Sequence, residues 1–323
     1  VSAALFDISE AFDGDPIRPD METPTPAEMV ARLTRPDREK RVLHLIDQAH
    51  DIYDEGIAAW QDDREIVARC ILFSGGNDST TLAHLFRPKA THAIHANTTI
   101  GIEQTRQYVR DTCAAWELPL IEERPDDSFA DLVLGKVNGW PGGFPGPGAH
   151  GTIYQRIKER ALDKARHTLG IANSRSKCAL FIGGRRREES ERRSDVPLHE
   201  PDGTVIWISP IALWTKLDLN TYRLMHGDVP HNPVTANIHM SGECLCGAFA
   251  KPGELEMIRY FYPDVAAEID ALADQARSTG LVAEKFCTWG HGLRGKAKVE
   301  PTAGRLCQSC KPPAETPLFG GAA

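Results

Sequence analysis

The stretch FSGGNDSTTLAHLF, residues 73–86, sets two glycines, an acid and several hydroxyl side chains between an apolar run and an amphipathic one. Glycine lets a backbone approach a ligand closely, and the helix that follows adds partial positive charge at its N-terminus. Several backbone N–H groups then aim at one point, joined by the hydroxyls of Ser74, Ser79 and Thr80. Such a nest fits a phosphate or pyrophosphate. The Walker GKS/T ending is missing, so this is not the usual phosphate loop. A tight strand–helix turn without a ligand is the bland alternative. The position of the turn, after the first strand of an alternating α/β pattern, favours the ligand.

Two further groups carry chemistry. GGRRREESERR, residues 183–193, packs five arginines and three glutamates into nine residues directly after an apolar run. A charge run is ordinarily a solvated helix face; at the end of a strand on the same sheet edge it instead sets guanidinium forks beside the phosphate nest. The cysteines form the other group: Cys244 and Cys246 in CLC, Cys307 and Cys310 in CQSC, with Cys287 between them. Each pair brings two thiolates toward one inorganic centre, and cysteine-only ligation suits an iron–sulfur cluster or zinc. Cys70, Cys113 and Cys178 sit singly in apolar segments and read as buried small hydrophobes.

The elements that must position these groups alternate along the chain. ARCILF, THAIHAN, LPLIEE, CALFIGG and VIWIS read as short strands, separated by helical patterns after Asp78, over Glu103–Trp116 and over Thr152–Thr168. That order predicts a doubly wound, mostly parallel α/β sheet. TPAE at 25–28 reads as a helix start, and apolar residues from Val42 to Trp60 recur at helical spacing. The Gly- and Pro-rich run 138–151 reads as a long loop or lid, with His150, Tyr154 and Arg156 covering an acceptor. Three segments are expected: 1–64, an arm with amphipathic helices; 65–240, the α/β domain; and 241–323, a cysteine-bearing metal segment.

The chain has 323 residues, 41% hydrophobic and 25% charged, which is ordinary for a globular protein. No apolar stretch nears the length of a membrane span, and the N-terminus lacks the order of a signal peptide, so a cytoplasmic location without membrane contact is expected. The formal charge of −8 argues against non-specific nucleic-acid binding by the whole surface and leaves room for a local basic groove.

Ser74, Gly75, Gly76, Asp78 and Ser79 resemble the SGGxDS signature of the PP-loop ATP pyrophosphatases, with Asn77 where many relatives carry lysine. Gly184, Arg186, Glu189, Ser190 and Arg193 resemble a stretch of the phosphoadenosine phosphosulfate (PAPS) reductase branch. SPIALWTKLDLNTYR (209–223) and HGDVPHNPVTANIHMSGECLC (226–246) resemble two further segments of that branch. The resemblance implies an adenine nucleotide α-hydrolase-like fold that cleaves ATP to AMP and pyrophosphate. ATP would lie on Ser74–Thr80 with Gly184 beside it and Asn97 and Thr98 bordering the adenosine. Asp78 would position Mg²⁺ or a loop hydroxyl, and Arg186 and Arg193 would stabilise the pyrophosphate. Cys244, Cys246, Cys307 and Cys310 would hold a [4Fe–4S] cluster, with zinc as the alternative and Cys287 or Cys178 as substitute ligands.

The C-terminal ECG(I/L)H motif of sulfonucleotide reductases does not occur here. Relatives without it include the Dnd-type proteins of DNA phosphorothioation and phage-borne PAPS reductase-like proteins. The expected function is therefore adenylation coupled to sulfur transfer onto a nucleic-acid or nucleotide acceptor, with a sulfur-donor protein as a further partner. A PAPS or adenylyl sulfate reductase is the alternative enzyme, and a nucleotide-binding cluster sensor is the non-enzyme alternative.

Overall fold

A computed structural model describes residues 24–189 and 193–291. The helices and strands are, in chain order, α1 (Pro26–Arg32), α2 (Arg35–Trp60), β1 (Glu65–Leu72), α3 (Asn77–Phe86), β2 (His92–Ala96), α4 (Glu103–Ala115), β3 (Leu120–Glu123), α5 (Phe129–Val133) and α6 (His150–Tyr154). A π-helical turn, Gln155–Glu159, leads into α7 (Arg160–Thr168). β4 (Lys177–Ile182), β5 (His199–Asp202), β6 (Val205–Ile208), α8 (Lys216–Met225), α9 (Pro233–Ile238), α10 (Glu254–Phe261) and α11 (Pro263–Ser278) follow.

The six strands form one sheet in the order β3-β2-β1-β4-β6-β5. Every pairing is parallel except β5 with β6, so the doubly wound, mostly parallel sheet expected from the alternation is present. β5 is the addition. It forms a hairpin with β6 across Gly203, whose φ of +59° suits a residue without Cβ. Its sequence, HEPD, has no apolar alternation, because it is an edge strand paired on one side only.

Side chains alternate across the sheet. Ile71, Leu180, Ile182 and Ile208 face one core with α2, α3, α4 and α8. Cys70, Ile94, Ala179 and Phe181 face the other with Leu162 and Ala165 of α7. A third core joins α5, Phe144 and Ile153 to α9, α10, α11 and Trp289. Among the described residues no helix is long and apolar enough to cross a membrane.

The capping box read from TPAE is present at α1, with Thr25 and Glu28 exchanging bonds. The apolar stripe of α2 buries Val42, Leu45, Ala49, Ile52 and Tyr53. What fastens α2 is polar. Arg41 donates from Nε and Nη2 to the two oxygens of Asp218, at 3.0 and 3.3 Å. The fully buried Asp218 also accepts from the Thr215 N–H at 2.8 Å, closing the cap of α8. Removing it leaves a shielded guanidinium and a helix start unpartnered. Asp218→Ala should therefore lower stability by about 3–5 kcal/mol, measured by urea unfolding. A loss within experimental error would show that Arg41 is solvated without its partner.

Candidate active site

At the C-terminal edge of the sheet a cleft of about 780 Å³ is lined by Ser74, Gly76, Asn77, Asp78 and Ser79 from the first turn and by Gly183 to Arg186 from the turn after β4. Two of the groups read from the sequence thus share one site. Ser74 Oγ lies 3.1 Å from Ser79 Oγ, which donates to the Gly76 carbonyl at 3.0 Å. Gly184 must be small: a Cβ there would stand 3.2 Å from the Ser79 nitrogen.

Gly75 is the conformationally demanding glycine. Its φ is +75°, and a Cβ would meet Thr105 Cγ2 at 2.8 Å. Its carbonyl accepts from Asn232 Nδ2 at 2.9 Å, which ties the turn to the chain entering α9. Gly76, the N-cap of α3, has an ordinary φ of −76°.

Asp78 is committed to cations. Arg186 Nε donates to Asp78 Oδ2 at 2.7 Å, and Lys216 Nζ stands 3.7 Å from Oδ1. Arg186 is only 5% exposed, and its Nη1 donates to the Trp214 carbonyl at 3.4 Å. A divalent ion bound by Asp78 would face two positive groups, so the carboxylate suits the orientation of Arg186 better than direct Mg²⁺ ligation. Arg193 lines the same cleft, paired with Glu189.

Four of the residues expected to hold the nucleotide do not line the cleft. Gly75 lies behind the turn, and Thr80 Oγ1 stands 3.3 Å from Tyr108 OH on α4. Asn97 and Thr98, expected at the adenosine, have other work. Asn97 Nδ2 donates to Glu122 at 2.8 Å. Thr98 donates its N–H to Glu243 Oε1 at 2.9 Å and its hydroxyl to the Glu243 carbonyl at 2.5 Å. The flat apolar surface at that edge comes instead from Leu72, Ile94, Ala96 and Leu162.

The expected lid is also different. Phe144 is buried in the third core, and its N–H bonds the Phe286 carbonyl at 2.8 Å. The Gly- and Pro-rich run therefore packs against the chain at 282–286, and only its end reaches the cleft, at His150. Tyr154 lines the cleft and Arg156 does not.

His150, Tyr154, Lys158 and Leu162 follow at intervals of four and share one wall. In an undistorted α-helix each such step drifts by about 40°, which would carry the last of them off that wall. The π turn between α6 and α7 absorbs the drift. Lys158 was not legible in the sequence because a lone lysine on a helix carries no signal. Lys216 sits inside a motif but was not singled out there.

The cysteine segment is bolted beside this cleft. Glu243, 1% exposed, stands 3.2 Å from His95 Nε2 and accepts from Arg106 Nε at 3.3 Å. His95 Nδ1 in turn donates to the Phe73 carbonyl at 2.8 Å. Burial alone would raise the Glu243 carboxyl; His95, Arg106 and the Thr98 N–H outweigh it and hold the group below the usual carboxylate range. The next residue is Cys244. The neighbouring Cys246 thiol and the positive charge of Lys158 both favour its thiolate and lower its pKa. Cys246, facing the Cys244 sulfur and buried, is raised.

Two adjacent thiols of this kind fit half of a thiolate-ligated centre. Cys307 and Cys310 lie outside the described residues, and among those described no three metal-binding side chains converge. Cys287 is fully buried, with its thiol turned to the Val282 and Ala283 carbonyls. Cys178 is buried in β4. Burial pushes the Cys70 and Cys113 thiols up to about 12, as expected of small core residues.

The two glycines of the turn should respond differently to alanine. Gly75→Ala should cost about 1–3 kcal/mol in urea unfolding, since alanine is strained at positive φ and has no room there. Gly76→Ala should cost less than half as much. Equal losses would show that the turn does not depend on the left-handed residue.

Residues 68–239 match the phosphoadenosine phosphosulfate reductase domain family. An adenosine 5'-phosphosulfate reductase of Chelativorans sp. is 38% identical over 77 residues, 24% of this chain and 31% of that protein. One of Deinococcus radiodurans is 34% identical over 77 residues, 24% of this chain and 30% of that protein. The matched stretch thus spans under a third of these relatives. Among solved structures, PAPS reductase from Candida auris in a phosphate complex shares 16% identity, covering 61% of this chain and 90% of that one at a TM-score of 0.40. The U34-tRNA thiolase NcsA from Methanococcus maripaludis with its [4Fe-4S] cluster shares 13% identity, covering 73% and 81% at 0.36. With its family match running from β1 through α9 and taking in both cleft turns, the chain belongs to the PAPS reductase domain family.

Proposed function

We propose that the cleft binds ATP and that the protein adenylates an acceptor as the first half of a sulfur transfer. The observation that carries this reading is the amide nest at Ser74–Ser79 facing Arg186, in a cleft bordered by the segment that bears Cys244. The polyphosphate would rest on the turn and the adenine against Leu72, Ile94 and Leu162. An acceptor oxygen attacks the α-phosphorus, the bond to the β-phosphate oxygen breaks, and pyrophosphate leaves with its charge met by Arg186, Arg193 and Lys158. The terminal sulfur of a donor-protein persulfide then attacks the activated phosphorus, AMP leaves with the former acceptor oxygen, and a second thiol cleaves the S–S bond, releasing the donor as a disulfide. The acceptor we favour is a phosphate group of a nucleic acid or nucleotide, as in phosphorothioation, because cations outnumber acids on the cleft wall.

Cys244 and Cys246 would supply two ligands of a [4Fe–4S] cluster, and we assign the other two to Cys307 and Cys310, with zinc as the alternative metal. Bound there, a cluster would provide an iron centre able to accept an electron or bind sulfur. The second reading, reduction of adenylyl sulfate or PAPS, is favoured by the names of the two curated relatives.

Protein purified without oxygen, and assayed first for iron and acid-labile sulfide, separates these readings. With ATP and DNA or RNA oligonucleotides it should release pyrophosphate, and with adenylyl sulfate or PAPS and thioredoxin it should release no sulfite. Robust sulfite production without pyrophosphate release from ATP would replace the transfer reading with the reductase.

A further inference from the structure

Asn77 is the first residue of α3 and lines the cleft, and Arg223 and Thr235 behind it decide which way its amide faces. Arg223 Nη1, on α8, lies 3.2 Å from Asn77 Oδ1. A guanidinium has donors and no acceptor, so the atom it faces must be the amide oxygen rather than the nitrogen. Thr235 Oγ1 stands 3.3 Å from the same oxygen, sharing its single proton with the Asn232 carbonyl at 2.8 Å. The oxygen is thereby held toward α8 and α9. The amide nitrogen is left as the donor end, and among the described residues it makes no hydrogen bond within the protein.

Arg223 itself is unusual. Its Nη2 rests on the Pro230 carbonyl at 3.3 Å and on His231 Nδ1 at 3.2 Å, and among the described residues no carboxylate forms an ion pair with it, Asp78 acting on it only from farther away. By contrast Arg185 pairs with Glu200, Arg186 with Asp78 and Glu188, Arg193 with Glu189, and Lys216 with Asp78. A half-buried cation with no direct ion-pair partner among the described residues, and only the more distant Asp78 to offset its charge, thus stands one side chain away from the N-terminus of α3, where the helix already favours an anion. Burial lowers the Arg223 pKa, the cost of holding the charge there.

We infer that Arg223 is a positioning residue for the anionic part of the ligand on this turn. It pins the Asn77 amide so that its NH₂ donates to a phosphoryl oxygen, and it adds positive charge behind the nest that no carboxylate pairs with directly. The inference rests on the proposed nucleotide site and adds to it a residue that lies outside the cleft wall. It also accounts for asparagine at this position: a lysine here would set two cations against each other, whereas an asparagine relays the charge through a hydrogen bond.

The test is titration calorimetry of the full-length protein with ATP and, separately, with inorganic pyrophosphate, alongside urea unfolding. Arg223→Met, which keeps most of the packing, should weaken both ligands by about tenfold, the scale of one lost charge-assisted hydrogen bond. Arg223→Lys should restore most of that loss. Asn77→Lys should weaken binding by itself and bind better when combined with Arg223→Met, a non-additivity that a purely structural role would not produce. Wild-type affinity in Arg223→Met, or additive effects in the double variant, would overturn the inference while leaving the nucleotide site standing. Failure of the wild-type protein to bind either ligand would overturn both.

Discussion

The ion pair between Asp78 and Arg186 joins the turn after β1 to the turn after β4, and the cleft depends on it. A guanidinium this deeply buried needs a partner, and removal of that partner from such a pair costs several kcal/mol. The neighbouring backbones are set close as well: a Cβ on Gly184 would stand 3.2 Å from the nitrogen of Ser79, and the two turns would have to part by a few tenths of an ångström to admit it. A cation fixed before the ligand arrives needs no reorganisation when charge develops, which is the property a leaving pyrophosphate would exploit.

Beside that pair, the cysteine segment is held by a second buried charge. Glu243 receives Thr98 from the end of β2, Arg106 from α4, and His95, whose other nitrogen bonds the carbonyl just before Ser74. Backbone bonds reinforce the junction, from Ile102 to the Gly242 carbonyl and from Leu245 to the Ile100 carbonyl. Gly101 lies so close that a Cβ would stand 2.5 Å from the Glu243 carbonyl oxygen. The thiol pair at Cys244 and Cys246 is therefore placed by the same strand ends that build the nest, and its position relative to the cleft is a property of the fold.

The parts of this arrangement that could be read from the sequence are those encoded locally. The nest follows from Ser-Gly-Gly after an apolar run, the arginines from a dense charge run after another, and the capping box of α1 from four consecutive residues. Asn97 and Thr98 were misplaced because their partners, Glu122 and Glu243, are 25 and 145 residues away. Polar residues at a strand end look alike whether they face a ligand or a buried carboxylate. The run 138–151 looked like a lid because Gly and Pro signal irregular backbone, whereas the side chain that decides its course, Phe144, is a single aromatic residue. The wall of His150, Tyr154 and Lys158 depends on a π turn, and nothing in residues 155–159 announces one. Arg223 belongs to the same class, a cation on a helix whose partner lies 146 residues earlier.

The central claim is that a nucleotide's phosphates rest on the turn after β1 and engage the turn after β4. Amide hydrogen exchange with and without a non-hydrolysable ATP analogue reads this directly. The account predicts slower exchange confined to residues 74–80 and 183–187 on addition of the analogue, in wild-type protein at saturating ligand. Binding detected by calorimetry with exchange unchanged in both turns, and slowed elsewhere, would contradict it.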